Sequence, residues 1–533
     1  MTSKYLPLSS PANTMNKKYF LVSLVTLVSL VTLDISAQES EYRYDDAMQL
    51  WHQTDNAAGL GLDNSRDRGY AEFNLEHRSG DYSRVQEGDQ HNQLKFTTER
   101  FQQISMLFVG YGKFQFDMDH TKHRAWCDVM RPYNSNPFFS GSSISGSYDT
   151  QNFDCTAAIS TIPIPLSGES MDREMAFGIK LDYKVGDLSR LRDPRSRSEL
   201  LDYKLTPAAT FTFGYHTLGV SGYYNRRKEK IPNITTVQTD PNLMYYTMSG
   251  MENANGIVGG YSGFTREWVN HQFGAELNYG YQHDGLNSLT SVSISRGTED
   301  AWGQYKYKPG QYTSYIYKVA SHNRIKSGAL LHHLDLDMDF TQGYADEYRQ
   351  QLIQEKDAQK GYTSYRYETQ IEYQKRYQVK TTNASFHYQV SVIDGPAIDS
   401  YAGLRFSMQH ASNKHLLPLS DFQYDHFNVQ VEAGKAFFNK QLWIDLSGTY
   451  HFAKNVELNL ADATTPYAQN VWLADMDYYH ANYWQGHAEV KYNFPLTIKH
   501  TPSQWYVKAY GDYLRTNNHL DQKMVGLSIG IFN

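Results

Sequence analysis

Long segments of the chain alternate between apolar and polar residues. In residues 384–392 the apolar row comprises Ala384, Phe386, Tyr388, Val390 and Val392, and the interleaved polar row comprises Ser385, His387, Gln389 and Ser391. Residues 442–451 and 484–494 repeat this pattern. Successive side chains of a β-strand point to opposite faces, so strict alternation indicates a strand with one apolar and one polar face. The chain is therefore predicted to be all-β.

The length of the candidate strands separates two all-β architectures. A soluble sandwich and a closed transmembrane barrel with an apolar outside and a polar lumen both produce alternation. The candidate strands have about 10 to 14 residues, whereas a tilted membrane strand needs about 9 to 11 and a sandwich strand about 5 or 6. Examples lie at residues 69–78, 106–120, 175–185, 273–281, 401–410 and 505–513. Strand length therefore favours the membrane barrel.

Aromatic residues at the ends of the apolar rows also favour the barrel. They include Tyr279, Tyr281, Tyr450, Trp484, Tyr492, Trp505 and Tyr513, in a chain with 43 tyrosines. Tyr and Trp form girdles at the two membrane interfaces of such proteins. We predict a transmembrane antiparallel β-barrel of about 16 to 18 strands. Residues 328–377 fit either one extended strand or a helix near residues 347–356.

The connections between strands differ in length, which predicts their side of the membrane. Short turns at residues 215–216, 284–287 and 438–441 are expected to face the periplasm. Longer connections at residues 120–149, 228–270 and 453–475 are expected on the outer face. Long outer loops carry recognition surfaces in this class of barrel.

The N-terminus has the features of an exported protein. Positive Lys17 and Lys18, an apolar run at residues 19–33 and a small-residue site ending at Ala37 form the pattern of a cleaved signal peptide. A membrane anchor would need about 17 to 25 apolar residues, so we predict cleavage, with residues 1–14 as an extra start before Met15. Residues 38–68 then precede the barrel at 69–533, either as a periplasmic tether or as a cap that enters the lumen.

Charge and cysteine content narrow the possible partners. The chain has 50 Lys and Arg against 57 Asp and Glu, so an exported protein of this charge has no basis for binding nucleic acid. It has only 2 cysteines. Cys127 and Cys155 flank a segment rich in Ser, Gly and Asn, and in an oxidising compartment they could form one disulfide. Two free thiols are the alternative.

Four short motifs resemble a known family. They are residues 55–60 (DNAAGL), the stretch 86–101 from QEGD to LKFTTERF, Asp193-Pro194-Arg195, and residues 204–207 (KLTP). With them the chain is similar to an uncharacterised group of outer-membrane β-barrel proteins from Bacteroidota. The resemblance implies the fold, the outer membrane of a Gram-negative bacterium as the location, and a TonB-dependent uptake system as a partner. It implies no activity, cofactor or site residue.

The last strand predicts a second partner. Val525, Leu527, Ile529 and Ile531 form an apolar row that ends beside Phe532. A terminal apolar strand with an aromatic residue near its end resembles the signal that the outer-membrane assembly machinery reads. Lipid of the outer membrane is the remaining expected partner.

A row of titratable residues is the clearest candidate for a functional site. His333, Asp335, Asp337 and Asp339 share one face of a predicted strand. Such a row could bind a cation or set the charge selectivity of a lumen. A solvated wall balanced by Arg and Lys on adjacent strands is the interpretation that we favour over a metal site, and with 20 His in the chain we assign none.

The function that follows from a wide, polar barrel is passage of small solutes. We predict a channel or uptake-associated component with an aqueous lumen, unless loops fold in and plug it. Further lumen-facing candidates are Glu72, Asn74, Glu76, Lys113, Asp117, Lys180, Asp182, Arg405, Lys491, Lys508 and Asp512. An outer-membrane hydrolase is a weaker alternative, because no H-E-x-x-H motif occurs. A structural or partner-binding surface barrel is the third alternative.

Overall fold

In the computed structural model, the alternating segments form the strands of one closed sheet. The structure describes residues 39–63, 67–166, 173–237, 243–258, 264–356, 361–498 and 501–532, so the predicted signal peptide at 1–37 lies outside the described residues. The strands in chain order are β1 (Arg68–Ser79), β2 (Gln90–Gln103), β3 (Phe108–Arg124), β4 (Ser140–Ser142), β5 (Gly146–Thr161), β6 (Ile164–Pro165), β7 (Arg173–Arg190), β8 (Arg195–Phe213), β9 (His216–Ile231), β10 (Ile234–Thr235), β11 (Met244–Met248), β12 (Ala254–Val258), β13 (Arg266–His283), β14 (Leu286–Gly303), β15 (Gly310–Ser327), β16 (Leu330–Lys356), β17 (Thr363–Asp394), β18 (Ala397–Leu416), β19 (Leu419–Phe437), β20 (Leu442–Asn459), β21 (Tyr483–Ile498), β22 (Thr501–Thr516) and β23 (Asp521–Phe532).

The long strands form an antiparallel barrel of 18 strands, which lies within the predicted range and confirms the fold. The short strands β4, β6, β10, β11 and β12 are accessory to it. The barrel closes where β1 pairs with β23, with Tyr70 opposite Phe532 and Ser79 opposite Lys523. Closure removes the free edges that a sheet of this size would otherwise expose.

The predicted ambiguity at residues 328–377 is resolved in favour of strands. Residues 347–356 belong to β16 and pair with β17, where Gln354 lies opposite Tyr365. A helix there is wrong. Cross-strand hydrogen bonding to a segment that comes later in the chain overrides the local helical preference, which is a weak determinant.

The two faces of each strand meet different surroundings. On β16, Leu336 and Met338 are exposed on the outside at 43% and 47%. The alternate residue Asp335 points into the lumen, where Arg324 contacts it. Outward-facing aromatic residues lie near both ends of the wall, with Tyr450 and Trp484 toward the long loops and Tyr492 toward the short turns. This is the apolar belt with aromatic borders that a bilayer requires.

The long connections fold over the lumen instead of projecting freely. Strands β3 and β5 extend to Arg124 and from Gly146, so that the connection between them is shorter than predicted. Short strands β4, β11 and β12 form a small separate sheet among these connections. An apolar cluster joins loop residues to inward wall residues; it includes Cys127, Val129, Phe138, Tyr245, Met251, Trp268, Tyr312, Tyr377, Val379 and Phe422.

Helical structure is sparse and forms no part of the barrel wall. Helix α1 (Glu39–Met48) is followed by two 3-10 turns, Leu50–Gln53 and Ala57–Gly61. Near the outer loops, a π-helical turn (Ala468–Trp472) precedes α2 (Met476–His480). None of the described helices is both long enough and apolar enough to cross a membrane.

Candidate functional site

The N-terminal segment lies inside the barrel. We call residues 39–63 the N-terminal plug. Its first half, α1, is attached to the wall by charged groups: Lys491 donates to Glu39 at 2.5 Å, and Arg43 donates to Asp445 at 2.7 Å. The guanidinium of Arg43 also lies 4.4 Å from the ring centroid of Trp443. Of the two arrangements predicted for residues 38–68, these contacts correspond to a cap that enters the lumen.

The second half of the plug reaches the opposite part of the wall. Asp55 accepts hydrogen bonds from Lys180, at 3.2 Å, and from Lys204. The Asn56 amide donates to the side-chain oxygen of Asn278 at 3.0 Å. Backbone atoms of the turn Ala57–Gly61 approach Gly178 of β7 so closely that an added Cβ would lie 2.5 Å from them. The plug therefore spans the end of the lumen near the short turns.

Charge pairing sets the protonation of the plug carboxylates. Burial alone would raise the pKa of Glu39, but Lys491 and Arg43 hold it below the ordinary value. Burial opposes Lys204 and Lys180 in the same way at Asp55, and the pKa of Asp55 is also lowered. Both carboxylates are therefore ionised near neutral pH and can attract the cations of the wall.

A buried His and Asp pair lies in the same segment. His52 Nε2 lies 3.2 Å from Asp63 Oδ2, and the His52 ring stacks on Phe101 at 4.1 Å between centroids. Burial lowers the pKa of His52 to about 3 and raises the pKa of Asp63 well above its ordinary value. The pair is therefore neutral, and it adds no charge to the plug.

The titratable row of β16 contacts polar and basic groups of the adjacent strands. Asp335 accepts a hydrogen bond from Arg324 at 2.6 Å, and His322 Nδ1 lies 3.0 Å from the same oxygen. His387, 3.7 Å from Asp335, is also 2.7 Å from Glu432. The remaining members contact single partners: His333 with Ser391, Asp337 with His322, and Asp339 with Asn383. Among these contacts Arg324 is the one permanently charged partner, and the role of the row stays a prediction.

The other predicted lumen residues also lie on the inner face, each beside polar groups. Glu72 contacts Tyr506 and Lys508; Asn74 and Glu76 contact Tyr510; Lys113 contacts Glu99; Asp117 contacts Asn152; Asp182 contacts Thr156 and Lys180; Asp512 contacts His487 and Gln485; Arg405 lies opposite His387 in the register. Lys180 and Lys491 alone among them bind the plug. Their part in sorting solutes stays a prediction.

Four loop segments close the other end of the lumen, and we call them the mouth loops: residues 80–89, 125–139, 249–253 and 460–482. Arg84 contacts three of the aromatic rings there: its guanidinium lies 3.9 Å from the centroid of Tyr133, 5.3 Å from that of Tyr478 and 6.0 Å from that of Tyr479. Asp475 accepts hydrogen bonds from the backbone of Val85, at 2.9 Å, and from the Tyr133 hydroxyl. Burial raises the pKa of Asp475 to about 6.

Beneath the mouth loops lies a cavity of about 360 Å³, which we call the loop chamber. Inward residues of β17, β18 and β19 form one side, including Thr381, Gln409, Asn413 and Tyr424. Tyr133, Trp472 and Tyr478 of the mouth loops line the other side. The wall side of the chamber therefore combines amide and hydroxyl groups with apolar side chains, and the loop side presents aromatic rings beside polar groups.

The predicted disulfide is wrong, because both cysteines are free thiols. Cys127 is buried in the apolar cluster of the mouth, where its sulfur lies 3.6 Å from a guanidinium nitrogen of Arg124. Cys155 is exposed on the outer face of β5, since its neighbours Asp154 and Thr156 bond groups inside the lumen. A loop residue inside the barrel and a strand residue facing lipid cannot be bridged without moving the backbone.

Sequence reasoning missed the partners of the plug and the walls of the chamber. Asp445 belongs to a polar row that alternation had identified, but nothing local singled it out as a ligand for Arg43. Lys204 lies within a motif that carries the family resemblance, which is a weak signal. Thr381, Gln409, Asn413 and Tyr424 have no local signal at all, because three separate strands bring them together.

Comparison with known sequences gives the family. Residues 57–533 match a family of unknown function, DUF6850. The chain belongs to this family. A comparison with curated proteins finds no match. The family is defined without an activity, and an origin in Bacteroidota stays a prediction.

Solved structures with a similar fold are distant in sequence. The copper transporter OprC is 9% identical, with a TM-score of 0.37 over 88% of this chain and 81% of that chain. The ferric yersiniabactin uptake receptor FyuA from Yersinia pestis is 9% identical, with a TM-score of 0.37 over 88% and 80%. The FrpB iron transporter from Neisseria meningitidis, in the apoprotein form of the F5-1 variant, is 9% identical, with a TM-score of 0.37 over 90% and 83%. These likenesses concern the barrel fold alone.

Proposed function

We propose that the protein is a gated component of solute uptake in the outer membrane, closed at rest by its own plug and mouth loops. The observation that carries this proposal is the charged attachment of the plug, through Glu39, Arg43 and Asp55, to the inner wall. Replacing buried ion pairs by apolar contacts is often neutral or stabilising. A segment that only filled the lumen would therefore have no need of these pairs.

Release of the plug would be favoured by the character of the surfaces it leaves. Lys491, Asp445 and Lys180 would be hydrated when the plug departs, so the lost ion pairs would be partly repaid. The wall behind them carries further charges, including Asp335 and Glu72. A lumen with such a wall would fill with water and admit polar solutes once both ends are open.

The expected setting is the outer membrane of a Gram-negative bacterium. A TonB-dependent uptake system is the partner that the family resemblance implies, and we include it in the proposal. The assembly machinery would act on β23, whose residue Phe532 packs inward against Tyr506 at 4.9 Å and Tyr42 of the plug at 5.1 Å. The C-terminus of the barrel and the plug therefore support each other.

Conductance in planar lipid bilayers tests the gate. We expect the full-length protein to be closed, with rare openings, and a variant without residues 39–63 to form steady, wide pores under an applied voltage that displaces the mouth loops. Because a deletion can disturb folding, the double variant Lys491→Met and Asp445→Asn provides a milder test. The matched control is Lys508→Met, which removes a cation that pairs with Glu72 of the wall at 3.3 Å and does not touch the plug.

The outcomes separate the candidate functions. Steady openings in the two plug variants, with only the rare openings of the full-length protein in the control, support a gated barrel. A barrel that stays sealed in every variant contradicts the proposal and favours a partner-binding surface barrel. Co-purification of the sealed barrel with a TonB-dependent receptor would then identify that partner.

A further inference from the structure

The loop chamber has the dimensions of a ligand site. Its volume of about 360 Å³ falls at the lower end of the roughly 300 to 1,000 Å³ found for small-molecule pockets. Inward residues of β17, β18 and β19 form a rigid wall, and the mouth loops form the opposite side. A site of this size, formed between a rigid wall and loops, suits a small ligand captured at the outer end of the lumen.

The rigid wall offers hydrogen-bonding groups that the protein does not use. Within the described part of the chain, the side chains of Thr381, Gln409, Asn413 and Tyr424 make no hydrogen bond to other protein groups. Amides and hydroxyls both donate and accept hydrogen bonds. They therefore suit a ligand whose own groups also do both, as hydroxyl groups do.

The loop side offers aromatic faces. Tyr133, Trp472 and Tyr478 are half-buried and line the chamber. Trp472 is fixed by a hydrogen bond from its Nε1 to the backbone oxygen of Met251 at 2.8 Å. Flat rings held in this way can pack against the apolar C–H face of a ligand that is polar at its edge.

Few charged side chains line the chamber. Among the described residues that line it, Arg84 is the one permanently charged side chain. Its guanidinium donates to both carboxylate oxygens of Glu87, at 2.5 and 3.0 Å. His426, the other titratable base there, has its Nε2 3.0 Å from the backbone oxygen of Tyr479. An anion, a charged metal chelate or a free peptide would therefore bring a buried charge with no partner, which is costly.

We propose that the loop chamber binds a neutral carbohydrate of mono- to disaccharide size. Its hydroxyl groups bond to Gln409, Asn413, Thr381 and Tyr424, and a C–H face of the sugar ring packs on the ring of Trp472. This inference rests on the proposed function, because it names the class of solute that the uptake component captures.

Binding is measured by isothermal titration of the full-length protein in a detergent without a sugar headgroup, such as a dimethylamine oxide. The neutral probes are cellobiose and lactose, and the charged probes are glucose 6-phosphate and glycylglycine. The double variant Gln409→Ala and Asn413→Ala removes the amides, and Tyr424→Phe removes one hydroxyl while keeping the ring. Gln115→Ala is the control, since Gln115 lies on the inner wall in β3, away from the chamber.

We expect at least one neutral probe to bind, with Kd weakened about tenfold in the double variant, severalfold in Tyr424→Phe and not at all in Gln115→Ala. Binding of the charged probes in place of the neutral ones overturns the assignment. The assignment is also overturned if neither neutral probe binds at a concentration of about 10 mM, or if Kd is unchanged in the chamber variants.

This measurement is independent of the gate. A barrel that binds a sugar in the chamber but stays sealed without its plug would contradict the proposed uptake function and support the sugar site. A barrel that opens without its plug but binds no neutral sugar would contradict the sugar site and support the gated barrel.

Discussion

Lys491 of β21 donates a hydrogen bond to Glu39 of the plug, 452 residues earlier in the chain, over 2.5 Å. Both side chains are nearly buried, at 9% and 6% exposed. The Lys491 ammonium also lies 3.9 Å from the ring centroid of Tyr506 and 4.8 Å from that of Phe532. One cation thus joins the first described segment of the chain to its last strands.

Loss of this pair should loosen the plug. Breaking a buried ion pair costs about 3 to 5 kcal/mol, so Lys491→Met should speed amide exchange in residues 39–48 by about a hundredfold or more. Hydrogen exchange followed by mass spectrometry measures this. Lys508→Met is the control, and equal acceleration in both variants would show that the effect comes from the wall instead of the plug.

Substitution of Gly178 should displace the far end of the plug. An added Cβ would lie 2.5 Å from backbone atoms of Ala57 and Ala58, which cannot move aside as a flexible side chain could. We expect Gly178→Ala to destabilise the local packing by about 1 to 3 kcal/mol and to expose residues 55–63 to protease. Gly112→Ala should have no such effect, since nothing lies within 4 Å of its added Cβ.

The mouth loops should be more stable in mild acid. Burial raises the pKa of Asp475 from 3.8 to about 6, so between these values the folded protein holds a proton that the unfolded chain has lost. Stability of the mouth loops therefore falls as pH rises from about 4 to about 6, by up to about 3 kcal/mol. Limited proteolysis of residues 460–482 across this range measures the change.

Asp475→Asn supplies the control for that experiment. The amide does not titrate, so the slope between pH 4 and pH 6 should vanish in this variant. A slope that persists unchanged would assign the effect to another group. The attachment of the plug depends on pH in the opposite direction. The pKa values of Glu39 and Asp55 are lowered in the folded protein, so below about pH 4 the plug loses its attraction to the wall as pH falls.

A charge on the outer belt should oppose insertion. Leu336 is 43% exposed on the outer face of β16. Arginine at the middle of a lipid-facing strand costs about 2 to 4 kcal/mol, so Leu336→Arg should lower the free energy of unfolding in vesicles by that amount. Asp337→Asn, one residue away on the lumen side, should change it little. Similar losses in both would argue against a membrane belt on this face.

The two cysteines should remain reduced without added reductant. Thiol titration of the protein denatured in the absence of reductant should find 2 free thiols. In the folded protein Cys127 should react much more slowly than when denatured, because it is 1% exposed and burial raises the pKa of its thiol. A single intramolecular disulfide by mass would restore the interpretation based on the sequence.

Local alternation determined the fold and the facing of individual side chains. It identified the face of β16 that carries Leu336 and the opposite face that carries Asp337, because the period of a strand is a property of neighbouring residues. It also identified most of the wall, including Lys491 and Asp512. The helix considered at residues 347–356 shows its limit, since there pairing with β17 decided the structure.

Contacts between distant segments were decided by the tertiary structure alone. The register between strands brings Arg324 and His322 into contact with Asp335, and the path of the plug brings Glu39 into contact with Lys491. Loop packing put Cys127 inside the mouth and away from Cys155. The sequence alone determined which residues face lipid and which face the lumen, because that depends on the nearest neighbours. Which lumen groups meet, and where a cavity remains, depends on how segments hundreds of residues apart are aligned, and local pattern carries no information about that alignment.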